Sequence, residues 1–479
     1  RQTVRTNDGC INTVVKRIFI LPYNTVRPVA DSAYYQDFNT TNGGWVAEAF
    51  ESRISPTRFT LSPGYIASDT SWIWGIPGGA VIRGTDRAWW TGANSNQYYP
   101  NENSVVNGPC FDLRQLQRPM VSMDVWTDAE RNIDGAVLQY SSDGGITWRI
   151  VGPAESLFGP DRDQGINWFN GTFITSNPGS QTIGQFGWTN ATQNSRQSRW
   201  LNARFNLDMI PVAERAQVRL RIAFASNDKN AADAVGSRFD GFAFDNVYVG
   251  GKKRQVLVEH FTNFTATPSQ AILDAASYLN TLYQDQITFR QGNPDFTDIQ
   301  YHMELPGTDV LNQENPTDPA SRALFMNVSQ PPTTIMDGII NSQFNGLTTR
   351  LNRVELDRRA LKDPLFRLQL QEVPATDNNR ISVRVTVTAD SAVNTFPMIV
   401  QVALLEDGIG SGRSTFRRFL LGPGGQIING SWVRNQQRIV TRDTAAIDVP
   451  IKDANRLRLV AFIQNRNTRE ILQVTSITA

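Results

Sequence analysis

One stretch, residues 238–270 (RFDGFAFDNVYVGGKKRQVLVEHFTNFTATPSQ), constrains the architecture of this chain more than any other. From Phe239 to Val249 apolar and polar residues alternate, the period of a strand with one buried face. Gly250-Gly251-Lys252-Lys253-Arg254 then interrupts that pattern with permissive backbone and clustered charge, which suits a domain boundary. A new apolar run, Val256-Leu257-Val258, follows. It leads through Glu259-His260-Phe261-Thr262 into a polar loop and a helix-like segment from Ser269 to Leu282. One unit closes here and another of a different type begins.

A chain of 479 residues is too long for a single core, and about three domains are expected. The formal net charge is +1, with no basic or acidic block, so electrostatics gives no support to a nucleic-acid partner. No apolar run approaches the roughly 18 residues of a membrane-spanning helix. The start at Arg1 is read as a processed piece of a longer precursor. Two cysteines, Cys10 and Cys110, and two histidines, His260 and His302, leave no room for Cys-rich metal sites or C-x-x-C redox motifs. A Ser–His–Asp triad would have to use His260 or His302, and neither sits in a nucleophile-elbow context. A lone histidine such as His302 reads as a hydrogen-bonded structural residue.

Residues 1–27 hold a strand-like run, Thr13 to Pro22, with no visible hairpin partner before it. Residues 28–250 read as all-β, with strand runs at Met120 to Trp126, Ala136 to Tyr140, Thr147 to Val151, Leu201 to Leu207 and Val218 to Phe224. Their many tryptophans are expected in the core rather than on a sugar-binding face. Ser141 to Trp148 matches S-x-D-x-G-x-T-W, a hairpin in which Asp143 caps its own turn. Residues 365–479 return to β, with strands expected at Ile381 to Ala389, Met398 to Leu405, Asp448 to Ile451 and Leu457 to Ile463. Asp357 to Arg359, with Lys362-Asp363, read as solvated charges.

Several motifs together carry a resemblance. Ser71-Trp72-Ile73-Trp74-Gly75-Ile76-Pro77, Trp89-Trp90-Thr91, Pro109-Cys110-Phe111-Asp112, Asp134 to Tyr140 and Phe242-Ala243-Phe244-Asp245-Asn246-Val247 follow one another in order. Residues 28–250 thereby resemble the MAM-type jelly roll of large Bacteroidota surface proteins, many exported by type IX secretion. The segment 1–27 resembles the end of an Ig-like PKD repeat; it is expected either to lie on the edge of the next domain or to act as a donor strand. Residues 254–350 look like a thioredoxin-fold domain. Thioredoxin-like outer-membrane proteins of that phylum carry E-x-F-T-x-x-x-C-x-x-C-P. Here Glu259-His260-Phe261-Thr262 is kept, while Ala266 and Ser269 occupy the cysteine positions. Gln330-Pro331-Pro332-Thr333 resembles the cis-proline loop, which places a cis bond before Pro332. Phe462-Ile463-Gln464-Asn465 and Thr468 to Gln473 resemble the close of the same proteins.

The expected fold is therefore a mostly β multidomain protein: a jelly-roll β-sandwich, a thioredoxin-like α/β domain lacking C-x-x-C, and a C-terminal β-sandwich. Disulfide exchange needs a low-pKa thiolate beside a resolving thiol, and the degenerate redox positions Ala266 and Ser269 supply neither. No cofactor is expected beyond a candidate structural calcium, for which Glu102, Asn103, Asp240 and Asp245 offer hard oxygens; the alternative is that they cap turns. Cys10 and Cys110 are expected to form a disulfide in an oxidising setting, or else to be two unrelated buried thiols. The role these features imply is a non-enzymatic structural or assembly protein, extracellular or on the cell surface. Its partners would be copies of itself or other surface proteins. A glycan-binding adhesin and an enzyme with a repurposed thioredoxin fold are the alternatives.

Overall fold

The computed structural model describes residues 2–5, 8, 11–14, 25–49, 70–81, 83–152, 165–182, 184–190, 199–228, 239–263, 295–341, 353–373, 380–409 and 414–478. Strand β1 (Gln2–Arg5) pairs antiparallel with β2 (Ile11–Val14), Gln2 opposite Val14 and Arg5 opposite Ile11. The expectation that this segment lacks a local partner is thus corrected. The partner is a short, polar run that no periodicity marks, brought back by a turn through Asp8. Residues 15–24, most of the expected apolar run, lie outside the described residues.

Twelve strands follow before the junction: β3 (Thr25–Val26), β4 (Tyr34–Gln36), β5 (Val46–Ala49), β6 (Trp72–Gly75), β7 (Ala88–Thr91), β8 (Asn103–Phe111), β9 (Pro119–Asp128), β10 (Gly135–Ser141), β11 (Arg149–Ile150), β12 (Leu201–Asn206), β13 (Val218–Ala225) and β14 (Gly241–Gly251). They form two six-stranded sheets. One runs β11-β10-β13-β8-β3 with β5 also on β8; the other runs β12-β9-β14-β7-β6 with β4 also on β14. Both contribute to one core, in which Val106, Leu138 and Phe224 meet Val121, Met123 and Phe244. Trp72 lies edge-on to Phe224 of the opposite sheet at 6.4 Å and to Phe244 of its own at 5.8 Å. Such edge-to-face contacts add to the area the rings bury.

Beyond the junction come β15 (Val256–Thr262), β16 (Phe296–His302), helices α1 (Val310–Glu314) and α2 (Thr317–Met326), β17 (Thr333–Met336), β18 (Ile340–Asn341) and α3 (Arg353–Ala360). After these lie β19 (Phe366–Val373), β20 (Arg380–Ala389), β21 (Met398–Glu406), β22 (Thr415–Phe419), β23 (Gln426–Ile428), β24 (Gln437–Ala446), β25 (Leu457–Asn465) and β26 (Ile471–Thr478). A nine-stranded mixed sheet runs β18-β17-β15-β16-β22-β21-β25-β26, with β23 on β21. Parallel pairing of β15 with β16, and of β16 with β22 at Gln300–Thr415, carries it across the boundary expected between residues 350 and 365. A three-stranded sheet, β19-β20-β24, packs Val383, Val385 and Val387 against Val400, Val402 and Leu459 of the larger one. The run from Asp448 to Ile451 is not a strand; the third strand of the small sheet is β24, upstream. Pro450 there has no N–H to give a ladder, and its carbonyl accepts from Arg417.

The junction itself departs from a flexible linker. Strand β14 runs on through Gly250 and Gly251, paired with Met120 and Pro119. The Lys252 side chain is fully buried, ion-paired to Asp208 and, at 2.6 Å, to Asp295. Arg118 holds the other Asp295 oxygen at 2.7 Å. Arg254 reaches buried Asp337 at 2.6 Å, and Arg359 joins it at 3.0 Å. Asp357 and Arg359, expected to be solvated, are both buried, and α3 lays Arg359 against this hub. Arg204 of β12 donates to the Leu361 carbonyl at 2.9 Å, a second tie across the junction.

Removing one partner of a buried charge network strands the others. We expect Lys252→Met to destabilise the fold by about 3–5 kcal/mol. The check is the urea midpoint of the transition followed by tryptophan fluorescence; an unchanged midpoint refutes the role given to Lys252.

Candidate functional site

In open α/β sheets ligands meet the chain at the carboxyl ends of parallel strands, here β15 and β16. Side chains alternate across β15. On one face, Glu259 is fully buried and bidentate to Arg322 of α2, with Nε to Oε1 and Nη2 to Oε2 both at 2.7 Å. Tyr301 of β16 donates to the same carboxylate at 3.0 Å, and Arg322 also donates to Gln464 at 2.7 Å. Burial, and then the Glu259 charge, push the Tyr301 phenol well above its ordinary pKa. The guanidinium lies 4.9 Å from the Phe462 ring centre. Arg322 and Tyr301 were not singled out from the sequence, and Gln464 entered only as part of the closing motif. The available signal was Asp318, Arg322 and Met326 falling on one face of α2.

His260 faces the other side, its Nδ1 2.7 Å from Thr334 Oγ1. Burial lowers its pKa to about 4, with Asp298 opposing the shift and His302 adding to it, so the ring is neutral at pH 7. His302 ends β16 with Nδ1 2.8 Å from Asp309. A carboxylate on Nδ1 fixes tautomer and ring orientation. Asp309 is also the N-cap of α1, accepting from Leu311 N at 2.9 Å and Asn312 N at 3.2 Å. Asn263, just past β15, donates to the carbonyls of Met303 and Gly307 at 2.6 and 2.5 Å. The Pro331–Pro332 bond is cis, as is Leu305–Pro306. Ala266 and Ser269, the helix expected from Ser269 to Leu282 and the strand expected from Gln286 to Phe289 all lie outside the described residues.

The residues expected to share a calcium are not brought together. Glu102 and Asn103 enter β8 in one sheet, whereas Asp240 precedes and Asp245 lies within β14 of the other. Each is held by a different protein group. Glu102 accepts from Ser71 N at 2.9 Å and Tyr99 N at 3.0 Å, Asp240 accepts from Ala80 N at 2.5 Å, and Asp245 pairs with Arg83 at 2.6 Å. Asn103 donates to Ser180 Oγ at 3.5 Å. Among the described residues no group of three or more His, Cys, Asp or Glu is placed to hold a metal. Of the expected Cys10–Cys110 bridge only Cys110 falls among the described residues. Cys110 is a free, buried thiol in β8, between Arg219 of β13 and Thr25 of β3. Cys10 lies outside the described residues.

Asp143 caps its own turn, accepting from Thr147 N at 2.9 Å, Thr147 Oγ1 at 2.6 Å and Ile146 N at 3.0 Å. These bonds, the threonine's foremost, hold its carboxyl well below the usual range. Of the eleven tryptophans only Trp74, Trp148 and Trp200 are half-buried; the rest are buried. Those three lie under Arg87, Arg221 and Arg83, at 5.1, 3.9 and 4.1 Å from their ring centres. No bare indole platform for a sugar remains among the described residues.

No family model matches this chain, and neither does any curated protein. Similar solved structures include HBP35 of Porphyromonas gingivalis, 12% identical, covering 47% of this chain and 75% of that one at a TM-score of 0.36. A cleaved adhesin domain of Lys-gingipain from the same organism is 10% identical, covering 46% and 98% at 0.25. A domain of its outer membrane lipoprotein Omp28 is 22% identical, covering 24% and 91% at 0.18. Likenesses this remote carry no argument about the present chain.

In the first unit the Asp134 carboxyl offers a titration that can be read out. Asp134 accepts from Tyr98 Oη and Asn227 N, both at 2.8 Å. Burial, with the Glu130 charge adding, raises its pKa from 3.8 to about 7. A raised carboxyl pKa contributes stability that is complete below pH 3.8 and is lost as pH rises through about 7. Asp134→Asn is therefore expected to flatten the fall in Tm between pH 5 and pH 8. Parallel Tm–pH curves for the two proteins would show that Asp134 does not govern that window.

Proposed function

We propose that this chain is a non-enzymatic structural or adhesive protein of a bacterial cell surface. In it the jelly-roll-like and thioredoxin-like units act together as one rigid carrier. The observation that supports this most is the fate of the E-x-F-T motif. Its carboxylate is locked bidentate to Arg322, and its histidine is neutral, buried and bonded to Thr334. Side chains that a working site would turn toward a substrate are here spent inside the fold. With Ala266 and Ser269 in the cysteine positions, the module serves as a scaffold. Extracellular placement and type IX export follow from the motif resemblance and belong to the same proposal. An insulin-reduction assay on the purified protein should give the buffer rate. Turnover of a thiol, ester or glycoside substrate that Ser269→Ala abolishes would move the reading to an enzyme.

The partner is proposed to be another copy of the chain or a neighbouring surface protein, met through the N-terminal hairpin. An isolated two-stranded sheet is marginal in water, and both its edges carry backbone donors and acceptors suited to a further strand. Edge-to-edge addition supplies main-chain hydrogen bonds, and head-to-tail addition that does not close builds a filament. Deleting residues 1–14 should leave a folded monomer by mass photometry while the intact chain assembles. Equal assembly of both chains, or an intact chain that stays monomeric at high concentration, would count against the hairpin. Glycan binding is the weaker reading, since the half-buried indoles are covered by arginines.

A further inference from the structure

The buried contact at the junction has a chemistry of its own. The Lys252 ammonium, with no exposed side-chain surface, touches an oxygen of Asp208 and, at 2.6 Å, one of Asp295; these two side chains are 3% and 0% exposed. An amine and a carboxyl held together away from water are the two halves of an amide. We propose that Lys252 and Asp208 condense into an intramolecular amide cross-link, with Asp295 as the proton relay. This inference does not depend on the functional reading above.

The two carboxylates are not equivalent, and Arg118 distinguishes them. It donates through Nε to Asp295 at 2.7 Å, which favours the ionised form of that group. Arg215 lies beside Asp208, feels its charge, and donates to its backbone carbonyl at 3.3 Å. In the proposed cross-link Asp208 serves as the electrophile, and Asp295, oriented by Arg118, serves as the base. Burial favours neutral amine plus neutral acid over a desolvated ion pair.

The steps balance. One ammonium proton passes from Lys252 to the Asp208 carboxylate. The freed lone pair attacks Asp208 Cγ, forming the N–C bond as the carbonyl electrons move onto oxygen. Asp295 takes a second proton from the nitrogen and delivers it to the departing hydroxyl. The C–O bond breaks, the carbonyl re-forms and water leaves. One ammonium and one carboxylate have become an amide and water. Asp295 is again ionised beside Arg118, and no oxidant or cofactor is used. Holding the groups in contact supplies an effective concentration of up to about 10⁵–10⁸ M. The product would tie the second residue after β12 to the residue after β14, two strands that flank β9.

Intact-protein mass spectrometry of the denatured full chain tests this directly. The expected mass lies one water below the value from the sequence, and proteolysis should release a branched peptide joining Lys252 to Asp208. Lys252→Arg should restore the full mass, and Asp295→Asn, which keeps nucleophile and electrophile, should restore most of it. A wild-type chain at the full mass, with the two residues in separate peptides, overturns the proposal. So does a water deficit that maps elsewhere, for example to an Asp-Gly succinimide, or that survives in Lys252→Arg.

Discussion

A lysine ammonium with no access to water must be met by carboxylates, and that demand at Lys252 governs how the two halves of this chain join. Its partners come from both sides: Asp208 follows β12 of the first unit, and Asp295 precedes β16 of the second. Arg118 balances the second carboxylate. With the quartet closed, Gly250 and Gly251 extend a strand and do not act as a hinge. Breaking any member leaves a buried charge without compensation, which is costlier than losing a surface pair.

Asp337 performs the same task one layer further in. It occupies a left-handed backbone position, φ +47°, and is fully buried. Its carboxylate receives Arg254 and Arg359, and Leu257 N donates to it at 3.0 Å. Its carbonyl accepts from Ile471 N at 3.0 Å, which brings the last strand, β26, back to the turn after β17. The next residue must be glycine. Gly338 has φ +74°, and a Cβ there would meet the Arg469 carbonyl oxygen at 1.9 Å. The large sheet is thereby drawn around a shared core in which Leu257, Phe261 and Tyr301 meet Val460, Phe462 and Val474.

Within that core the Glu259–Arg322 pair is the polar centre. A buried bidentate pair is a poor source of net stability and a good source of register, because only one placement of α2 satisfies it. That suits a scaffold whose units must present a fixed surface. The glutamate of Glu259-His260-Phe261-Thr262 thus has a packing duty of its own.

Much of the local structure was legible in the sequence because its causes are local. The alternation from Phe239 to Val249 became β14, and Val256-Leu257-Val258 opened β15. Asp143 closed its own hairpin with partners no more than four residues away. The mostly β character followed from strand runs that recur between turn residues. What stayed hidden was decided by which strands became neighbours. Nothing in Gln2–Arg5 announces a partner for Ile11–Val14, and the single Gln300–Thr415 pairing that merges two expected domains has no sequence signature. Glu102 and Asp245 looked like shared ligands until their segments fell in different sheets. Periodicity and turn chemistry are written over a few consecutive residues. The partner of a buried charge depends on long-range packing, so only the tertiary structure decided that Lys252, Arg254 and Arg322 would be the joints of this fold.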